Sequence, residues 1–557
     1  MKKLAILALG CLGLLMLAQA PLLEGVFTVP VNQWFGLDTD EAYTDSPNKA
    51  RDMMNFDIEA EGGRTFLQQR QGVRRVWPVT PSAGAEIKGM FLCQINSDTE
   101  RIVIGSSNGV IYTTGGGGGT KVWSPMDDGA GGRVSDYMSF CLFKDTLLIA
   151  SGDSIFTFAK RAGSPGIFFV NNGGANPTGM QRDVKWPYRR IFLHQDRVYG
   201  FGVVDSTCNK LAWRPEFDID FDSIDYKWNS GYVYIDKDDG DCITAALPMA
   251  NHIIVYKSRS IYRVLISPST NAPNEVVRVS ENVGAYGYDA VTEYNGVHYF
   301  VAQDGVYSFD GVNVTKLSRE IDHWFADSIV QSTGQSKVFK LAVANNRLYC
   351  TLPLRSVSQS ADVGDYRHFV YDFDLKTWWK YDFGSTPTPS LSESHYMTRY
   401  EISSRCTALF GNSAKLFGQY ILFVMDSSAG DNDLIHLFPY GWKDRDNDSI
   451  VAYYETPYIL FGDTWQRKQL TRMFAFTSSG PASHSFTIDW YGESSTDTLA
   501  RTTILTGSTP VLRNYRISPR VQGSLLRYKI RTSGGAVKIN AMEFDIAPKG
   551  VADETEP

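Results

Sequence analysis

Residues 298–311 read HYFVAQDGVYSFDG. A short apolar strand meets an Asp-Gly turn, a second strand ends on an aromatic, and another Asp-Gly follows. This is hairpin chemistry. The same phrase recurs along the chain as IVIGSSNGVIYTT (102–114), LLIASGDSIFTFA (147–159), RVYGFGVVDSTCNKLAWR (197–214), HIIVYKSRSIYRVL (252–265) and ALFGNSAKLFGQY (408–420). RLYCTLP (347–353) pairs with HFVYDFDLKTWWKYD (368–382) in the same manner. The strand-end aromatics Tyr112, Phe156 and Tyr199 are 44 and 43 apart, Tyr262 and Tyr307 are 45 apart, and Tyr371 and Phe417 are 46 apart. A period of about 45 residues with about four short strands per unit is the signature of a β-propeller. A solenoid needs a shorter period, and a sandwich does not sustain the repeat. The expectation is an all-β chain with a six- or seven-bladed propeller over residues 31–430. Phe309, Trp378 and Trp379 are expected to be buried at strand ends, and 203–250 and 353–367 to be insertions on its faces.

The repeat stops after about residue 430. DLIHLFPYGWKDRDNDS (433–449) is rich in turn formers and reads as a linker. Beyond it YYETPYILFGD, KQLTRMFAFTSS, SFTIDWYGES, RTTILTG, VLRNYRISPR, SLLRYKIRTS and VKINAMEFDIAP alternate apolar and polar residues. That pattern predicts a C-terminal β-sandwich over 431–548. The tail 549–557, ending GVADETEP, is acidic and is expected to be disordered.

The chain has 557 residues, enough for two to four domains. Apolar residues are 43%, charged residues 21% and aromatics 13%, with 49 glycines. This composition excludes a disordered or membrane-embedded chain. The net charge of −7 argues against gripping nucleic acid by phosphate neutralisation. The seven cysteines, Cys11, Cys93, Cys141, Cys208, Cys242, Cys350 and Cys406, contain no CxxC and no zinc spacing. They read as buried thiols.

Lys2 and Lys3 precede an apolar run from Leu4 to Ala18, and Ala18-Gln19-Ala20 fits a small-x-small cleavage pattern. Residues 1–30 therefore form an apolar N-terminal segment with the composition of a signal peptide. The run is short for a membrane span. Two alternatives stay open: cleavage after Ala20, which removes two lysines and takes −7 to −9, or a retained apolar arm.

Candidate chemistry is sparse. Gly105-Ser106-Ser107-Asn108-Gly109 matches a nucleophile elbow, but the strand-like VIYTT follows where a helix is needed. Gly115–Gly119 before Thr120-Lys121 lacks the spacing and the helix of a phosphate loop. Asp444, Asp446, Asp448 and Glu455 fall at positions 1, 3, 5 and 12 of a calcium loop. Ser449 stands where the loop needs glycine and Pro457 forbids an exiting helix, so a solvated linker is expected there. Asp236, Asp238, Asp239 and Asp241 form a second acidic cluster, read as a hairpin turn. No acid/base pair is nominated, no cofactor is expected, and no enzymatic activity is assigned.

Residues 36–76, GLDTDEAYTDSPNKARDMMNFDIEAEGGRTFLQQRQGVRRV, add a different signal. Pro47, Ala50, Arg51, Asn55, Asp57, Gly62, Gly63, Arg70 and Gly72 resemble the opening hairpin of a family of tailed-phage virion proteins. QDGVYSFDGVNVTKLSREID (303–322), HQDRVYGFG (194–202), FVYDFDLKTWWKYD (369–382) and the Glu455–Asp463 stretch are similar to later segments of that family. The resemblance, over about residues 36–545, is to the tail nozzle or tail-hub β-propeller proteins of short-tailed bacteriophages. It implies a structural virion protein of the phage tail that forms a homo-oligomeric ring, a hexamer. Such a ring docks on the head-to-tail adaptor, carries tail fibres or spikes, and lines the DNA-ejection channel without binding DNA specifically. The N-terminal segment would then be retained, with membrane contact during ejection as one use. The alternative is an exported periplasmic or secreted propeller, an enzyme or a carbohydrate-binding protein.

Overall fold

Two-residue turns with positive φ at both positions set the hairpins. Gln195 and Asp196 (46° and 56°), Asn295 and Gly296 (53° and 77°), and Asn345 and Asn346 (50° and 60°) each join two strands in this way. That geometry matches the right-handed twist of the flanking strands and selects Asn, Asp and Gly. The computed structural model describes residues 26–39, 43–44, 47–72, 74–75, 87–93, 101–106, 110–114, 121–125, 138–143, 146–151, 154–159, 182–183, 188–203, 208–214, 231–267, 274–327, 339–354, 365–382, 395–397, 400–402, 422–426, 434–438, 442–444, 448–461, 466–479, 484–492, 499–507, 513–517, 521–533 and 537–551. The chain divides into two units, one of residues 71–448 and one of residues 1–70 with 449–557.

The unit of residues 71–448 is a succession of sheets, the first six of which are built around a four-stranded antiparallel meander. The first contains Ile87–Cys93, Arg101–Ser106, Val110–Thr114 and Lys121–Pro125. The second contains Met138–Phe143, Thr146–Ser151, Ser154–Ala159 and Arg182–Asp183. The third contains Tyr188–His194, Arg197–Val203, Lys210–Trp213 and Gly231–Tyr234. The fourth contains Ile243–Met249, His252–Lys257, Ile261–Leu265 and Glu275–Ser280. The fifth contains Val291–Tyr294, Val297–Ala302, Gly305–Phe309 and Val314–Lys316, and the sixth Lys340–Ala344, Arg347–Leu354, Asp365–Asp372 and Thr377–Tyr381. Four-stranded antiparallel sheets in this order are consistent with β-propeller blades.

The last sheet is made from distant pieces. His395–Met397, Leu422–Asp426 and Leu434–Phe438 are completed by Arg74–Arg75. Reciprocally, Tyr400–Ile402 pairs in parallel with Ile87–Cys93 of the first sheet. The two ends of the series are therefore tied to each other twice. Leu434–Phe438, expected in the linker 433–449, is a strand of this sheet, paired through its backbone with Leu422–Asp426 and Arg74–Arg75.

Between sheets the core is aromatic and aliphatic. Phe192, Tyr199, Phe201 and Trp213 of the third sheet pack with Ile253, Val255, Tyr262 and Val264 of the fourth. Tyr256 of the fourth meets Phe300 of the fifth at 5.1 Å. Phe309, Trp378 and Trp379 are all fully buried, as their strand-end positions imply. The Trp378 indole donates to the carbonyl of Leu317 (2.9 Å), fastening the sixth sheet to the segment that closes the fifth.

The region 203–250 is not an insertion. It carries the third and fourth strands of the third sheet and the first strand of the fourth. Tyr199, taken with the repeating aromatics, lies on the second strand of its sheet, whereas Tyr112, Phe156, Tyr262, Tyr307 and Tyr371 lie on third strands. The third-strand aromatic of that sheet is Trp213, opposite Tyr199. The spacing of about 43 there counted a different strand, which made the residues that follow look like extra chain. Arg347–Leu354 and Asp365–Asp372 extend into the second expected insertion, 353–367. Its centre lies outside the described residues, as does Phe417.

The other unit has two sheets. One orders Phe56–Glu61, Arg64–Gln69, Val537–Val551, Gln466–Ser479 and Arg513–Ile517, with Phe27–Val31 also on Val537–Val551 and Val521–Gly523 on Gln466–Ser479. The second orders Tyr43–Thr44, Tyr458–Ile459, Leu526–Ser533, Val451–Glu455 and Asp52–Met54, extended by His484–Gly492 and Leu499–Gly507. Phe544 of the first sheet meets Trp490 (5.4 Å) and Tyr528 (5.5 Å) of the second, so the inner faces share one core. The boundaries expected from the sequence shift accordingly. Residues 31–70, expected in the propeller, pair with C-terminal strands, and the division falls between Asp448 and Ser449 rather than at 430. Phe27–Val31, expected in the apolar segment, is a strand. The tail expected from 549 is paired through Val551.

Truncating Trp378 or Trp379 to Ala is expected to cost ~3–5 kcal/mol each. Thermal melting of the two variants checks this. Unchanged melting temperatures in both would remove the sixth sheet from the core.

Candidate functional site

The residues of the 36–76 motif come together as a clasp rather than as a reactive centre. Asn55 adopts φ 59° and presents its side-chain oxygen to the Arg70 Nε, which donates to it at 2.8 Å. Its amide nitrogen donates to the carbonyl of Val451 (2.8 Å), and the next polar residue, Gln69, donates to the carbonyl of Ile450 (3.1 Å). Arg70 and Gln69 are fully buried. Buried polar groups persist only when hydrogen-bonded, and here the partners are 381 to 396 residues away in sequence. Arg51 N–H donates to the Glu455 carbonyl at 2.8 Å, and the Tyr528 hydroxyl donates to the Pro47 carbonyl. The Tyr454 hydroxyl donates to the Asn48 carbonyl (2.6 Å), while its ring meets Trp34 edge-on at 5.3 Å. Burial pushes both tyrosine hydroxyls well above the ordinary phenol range. Gly62 and Gly63 take φ of 59° and 79° at the tip of the hairpin, the backbone that a Glu-Gly-Gly turn needs.

The acidic cluster Asp236, Asp238, Asp239 and Asp241 lies on the connection from the third sheet to the fourth. It surrounds a lysine that the sequence did not single out. Lys257 is fully buried, and its Nζ donates to both Asp239 carboxylate oxygens (2.7 Å each) and to the Asp236 carbonyl (2.8 Å). Asp241 accepts from the Ser258 hydroxyl (2.8 Å) and from the Arg259 N–H (3.2 Å). The Tyr262 hydroxyl donates to Asp236 (2.9 Å). Burial is the largest single influence and raises the Asp239 carboxyl, but the hydrogen bonds from Lys257 and the Asp241 N–H, together with the charges of Lys257 and Arg278, hold the group below the usual aspartate value. Beside this turn Cys208 and Cys242 form a disulfide. That corrects the expectation of buried thiols, which holds for Cys141 and Cys350. The bridge spans 34 residues with no spacing motif, so only the fold brings the two sulfurs together. Cys11 and Cys406 lie outside the described residues.

The calcium candidate does not assemble around Glu455. One Glu455 carboxylate oxygen pairs with Arg527 (3.0 Å) and the other with Lys529 (2.8 Å). Arg527 also stacks on Tyr491 (4.5 Å) and Tyr458 (5.2 Å), and Lys529 on Tyr453 (4.3 Å). Two cations thus hold both oxygens that a bidentate calcium ligand would need free. Asp444 and Asp448 fall on the short strands Lys443–Asp444 and Asp448–Ser449. Asp446 lies outside the described residues. Among the described residues no group of three His, Cys, Asp or Glu side chains could hold a metal.

Ser106 ends a strand that pairs with Val110–Thr114 in a hairpin, so no helix follows the GxSxG stretch. Gly115–Gly119 lies outside the described residues, between two strands that pair antiparallel.

No protein-family model matches the chain. No curated protein matches it. Among solved structures, the chain is similar to the CNH domain of AfRom2 (8% identity over 65% of this chain and 98% of that one, TM-score 0.37). It is similar to YCF48 from Cyanidioschyzon merolae (10% identity, 64% and 99%, TM-score 0.34) and to the Pan2 WD40 domain of Neurospora crassa (9%, 67% and 96%, TM-score 0.34). At this level the similarity bears on neither substrate nor partner.

Two outcomes follow. Arg70→Met removes a charge-assisted bond to Asn55 and is expected to cost ~2–3 kcal/mol in denaturant unfolding; no change would mean the clasp does not hold the hairpin. The stabilisation from Asp239 is complete above the ordinary aspartate value of about 4 and is lost as pH falls through its lower folded value. Asp239→Asn is therefore expected to flatten the acid limb of the stability–pH curve below about pH 4.

Proposed function

We propose that the chain is a structural virion protein, a subunit of a ring-forming tail nozzle or tail hub of a short-tailed phage. In this reading the seven sheets of residues 71–448 are the blades of a seven-bladed propeller. The unit of residues 27–70 and 449–551 is a β-sandwich that carries the family motif. The observation that supports it is the clasp: Pro47, Arg51 and Asn55 each bond to the C-terminal strands, and Arg70 braces Asn55. A motif spent on joining chain segments suits a protein whose role is mechanical. The acidic balance of −7 suits a channel wall past which DNA slides without being held. Partners are further copies of the chain, six to a ring, the head-to-tail adaptor, and fibres or spikes. Subunit contacts of a stable ring bury well over ~1,000 Å² each.

A second reading, an exported periplasmic or secreted propeller that acts on or binds carbohydrate, is favoured by the Cys208–Cys242 bridge. Disulfides persist in oxidising compartments and are rare in the cytosol. The signal-like Lys2–Ala20 stretch points the same way.

Two measurements separate the readings. Negative-stain microscopy and light scattering on the full chain are expected to give closed rings without glycan hydrolysis; a monomer that cleaves or binds glycans sinks the nozzle assignment. Mass spectrometry of the N-terminus is expected to find residues 4–18 retained. A mature chain starting at Pro21 would put the export reading first.

A further inference from the structure

Cys208 and Cys242 sit on separate connections, with Cα atoms 5.1 Å apart. Cys242 is exposed and Cys208 half-buried. Contacts other than the sulfur–sulfur bond also hold both connections. On the Cys242 side, Lys257, Ser258, Arg259 and Tyr262 hold Asp236, Asp239 and Asp241. The Cys242 N–H donates to Asp241 (2.9 Å). On the Cys208 side, the Ile243 N–H donates to the Cys208 carbonyl (3.2 Å) and the Ile235 N–H to the Asn209 carbonyl (2.9 Å). The Asn209 amide donates to the Lys237 carbonyl at 3.3 Å. An ion pair from the buried Lys257 to Asp239 and at least six hydrogen bonds also hold the turn.

We propose that Cys242 is a thiol–disulfide exchange site and that the Cys208–Cys242 bridge is a removable staple over a turn the Lys257 ion pair holds by itself. The inference depends on neither reading of function. Exposed disulfides are the labile ones. Opening begins when a thiolate of a small dithiol attacks the exposed sulfur of Cys242. The bond to Cys208 breaks, and Cys208 leaves as a thiolate and takes a proton. The second thiol of the reagent displaces Cys242 from the mixed disulfide. Two electrons pass to the protein, and the reagent leaves as a cyclic disulfide. Closure is the reverse with oxidised glutathione as acceptor, which departs as two glutathione thiols. The chain can thus fold in a reducing compartment and be locked after leaving it. Asp241, whose carboxylate accepts from the Cys242 N–H, places negative charge beside the reacting residue. Anionic glutathione is therefore expected to exchange more slowly than uncharged dithiothreitol, and added salt to narrow the difference.

The test uses the full-length chain. After equilibration with oxidised glutathione, maleimide followed by peptide mapping is expected to leave Cys208 and Cys242 unlabelled. After native treatment with dithiothreitol both are expected to label, while Cys141 and Cys350, being buried, stay protected. Hydrogen exchange over residues 236–243 is expected to change less than about twofold on reduction of the wild type. In Lys257→Met, or in the milder Asp239→Asn if that variant does not fold, reduction is expected to cost about tenfold or more of that protection. Labelling of both cysteines before reduction would overturn the proposal. So would a wild-type turn that opens on reduction, or a variant turn that stays closed.

Discussion

The structure turns on a buried polar contact between two stretches of chain 381 to 396 residues apart. Asn55, Gln69 and Arg70 end the N-terminal hairpin, and the carbonyls of Ile450 and Val451 accept from the first two of them. Those carbonyls follow the boundary at Ser449 where the chain re-enters this unit. The outgoing and returning strands are thus fixed side by side. The series of sheets between Gln71 and Asp448 is a single excursion from that point. In a fully buried setting these bonds are costly to leave unmade, so the hairpin has little freedom to pair elsewhere.

The same economy marks the charges. Lys257 and Arg70 are cations without solvent access, each bonded to groups that fix its place. Arg527 and Lys529 are matched to Glu455 and laid on tyrosine rings. Removing one member of such a set leaves a buried charge exposed to the low dielectric of the interior. Both oxygens of Glu455, the last position of the calcium-loop spacing, are taken up by Arg527 and Lys529.

Local features of the chain were legible in its residues. The Glu-Gly-Gly turn, the burial of Phe309, Trp378 and Trp379, and the C-terminal strands all follow from period-2 patterning and turn chemistry. What was not legible is long-range pairing. Nothing local says that Arg74–Arg75 completes a sheet with Leu434–Phe438, or that Phe27–Val31 lies beside Val537–Val551. Phe27–Val31 alternates weakly and the pair Arg74–Arg75 carries no apolar signal, so each borrows its structure from its partner. The same holds at the acidic turn. The aspartates were conspicuous, but Lys257 looked like any lysine at a strand end, and the cysteine pair had no motif to announce it. Tyr199 misled by being aromatic at the right distance on the wrong strand.

The clasp also sets the order in which this protein can be made. Residues 27–70 leave the ribosome before the strands beyond residue 449 with which Phe27–Val31, Asp52–Met54 and Arg64–Gln69 pair. At about 5–20 residues per second, the roughly 380 residues in between take roughly 20–75 s to synthesise. For that interval the N-terminal hairpin waits with an unpaired edge, which is a template for pairing with another chain. The first of the sheets waits as well, until Tyr400–Ile402 arrives to cover Ile87–Cys93. A protein whose two ends must meet is exposed to its neighbours on the polysome for as long as its middle is being built, and its yield depends on whatever shields those edges in the meantime.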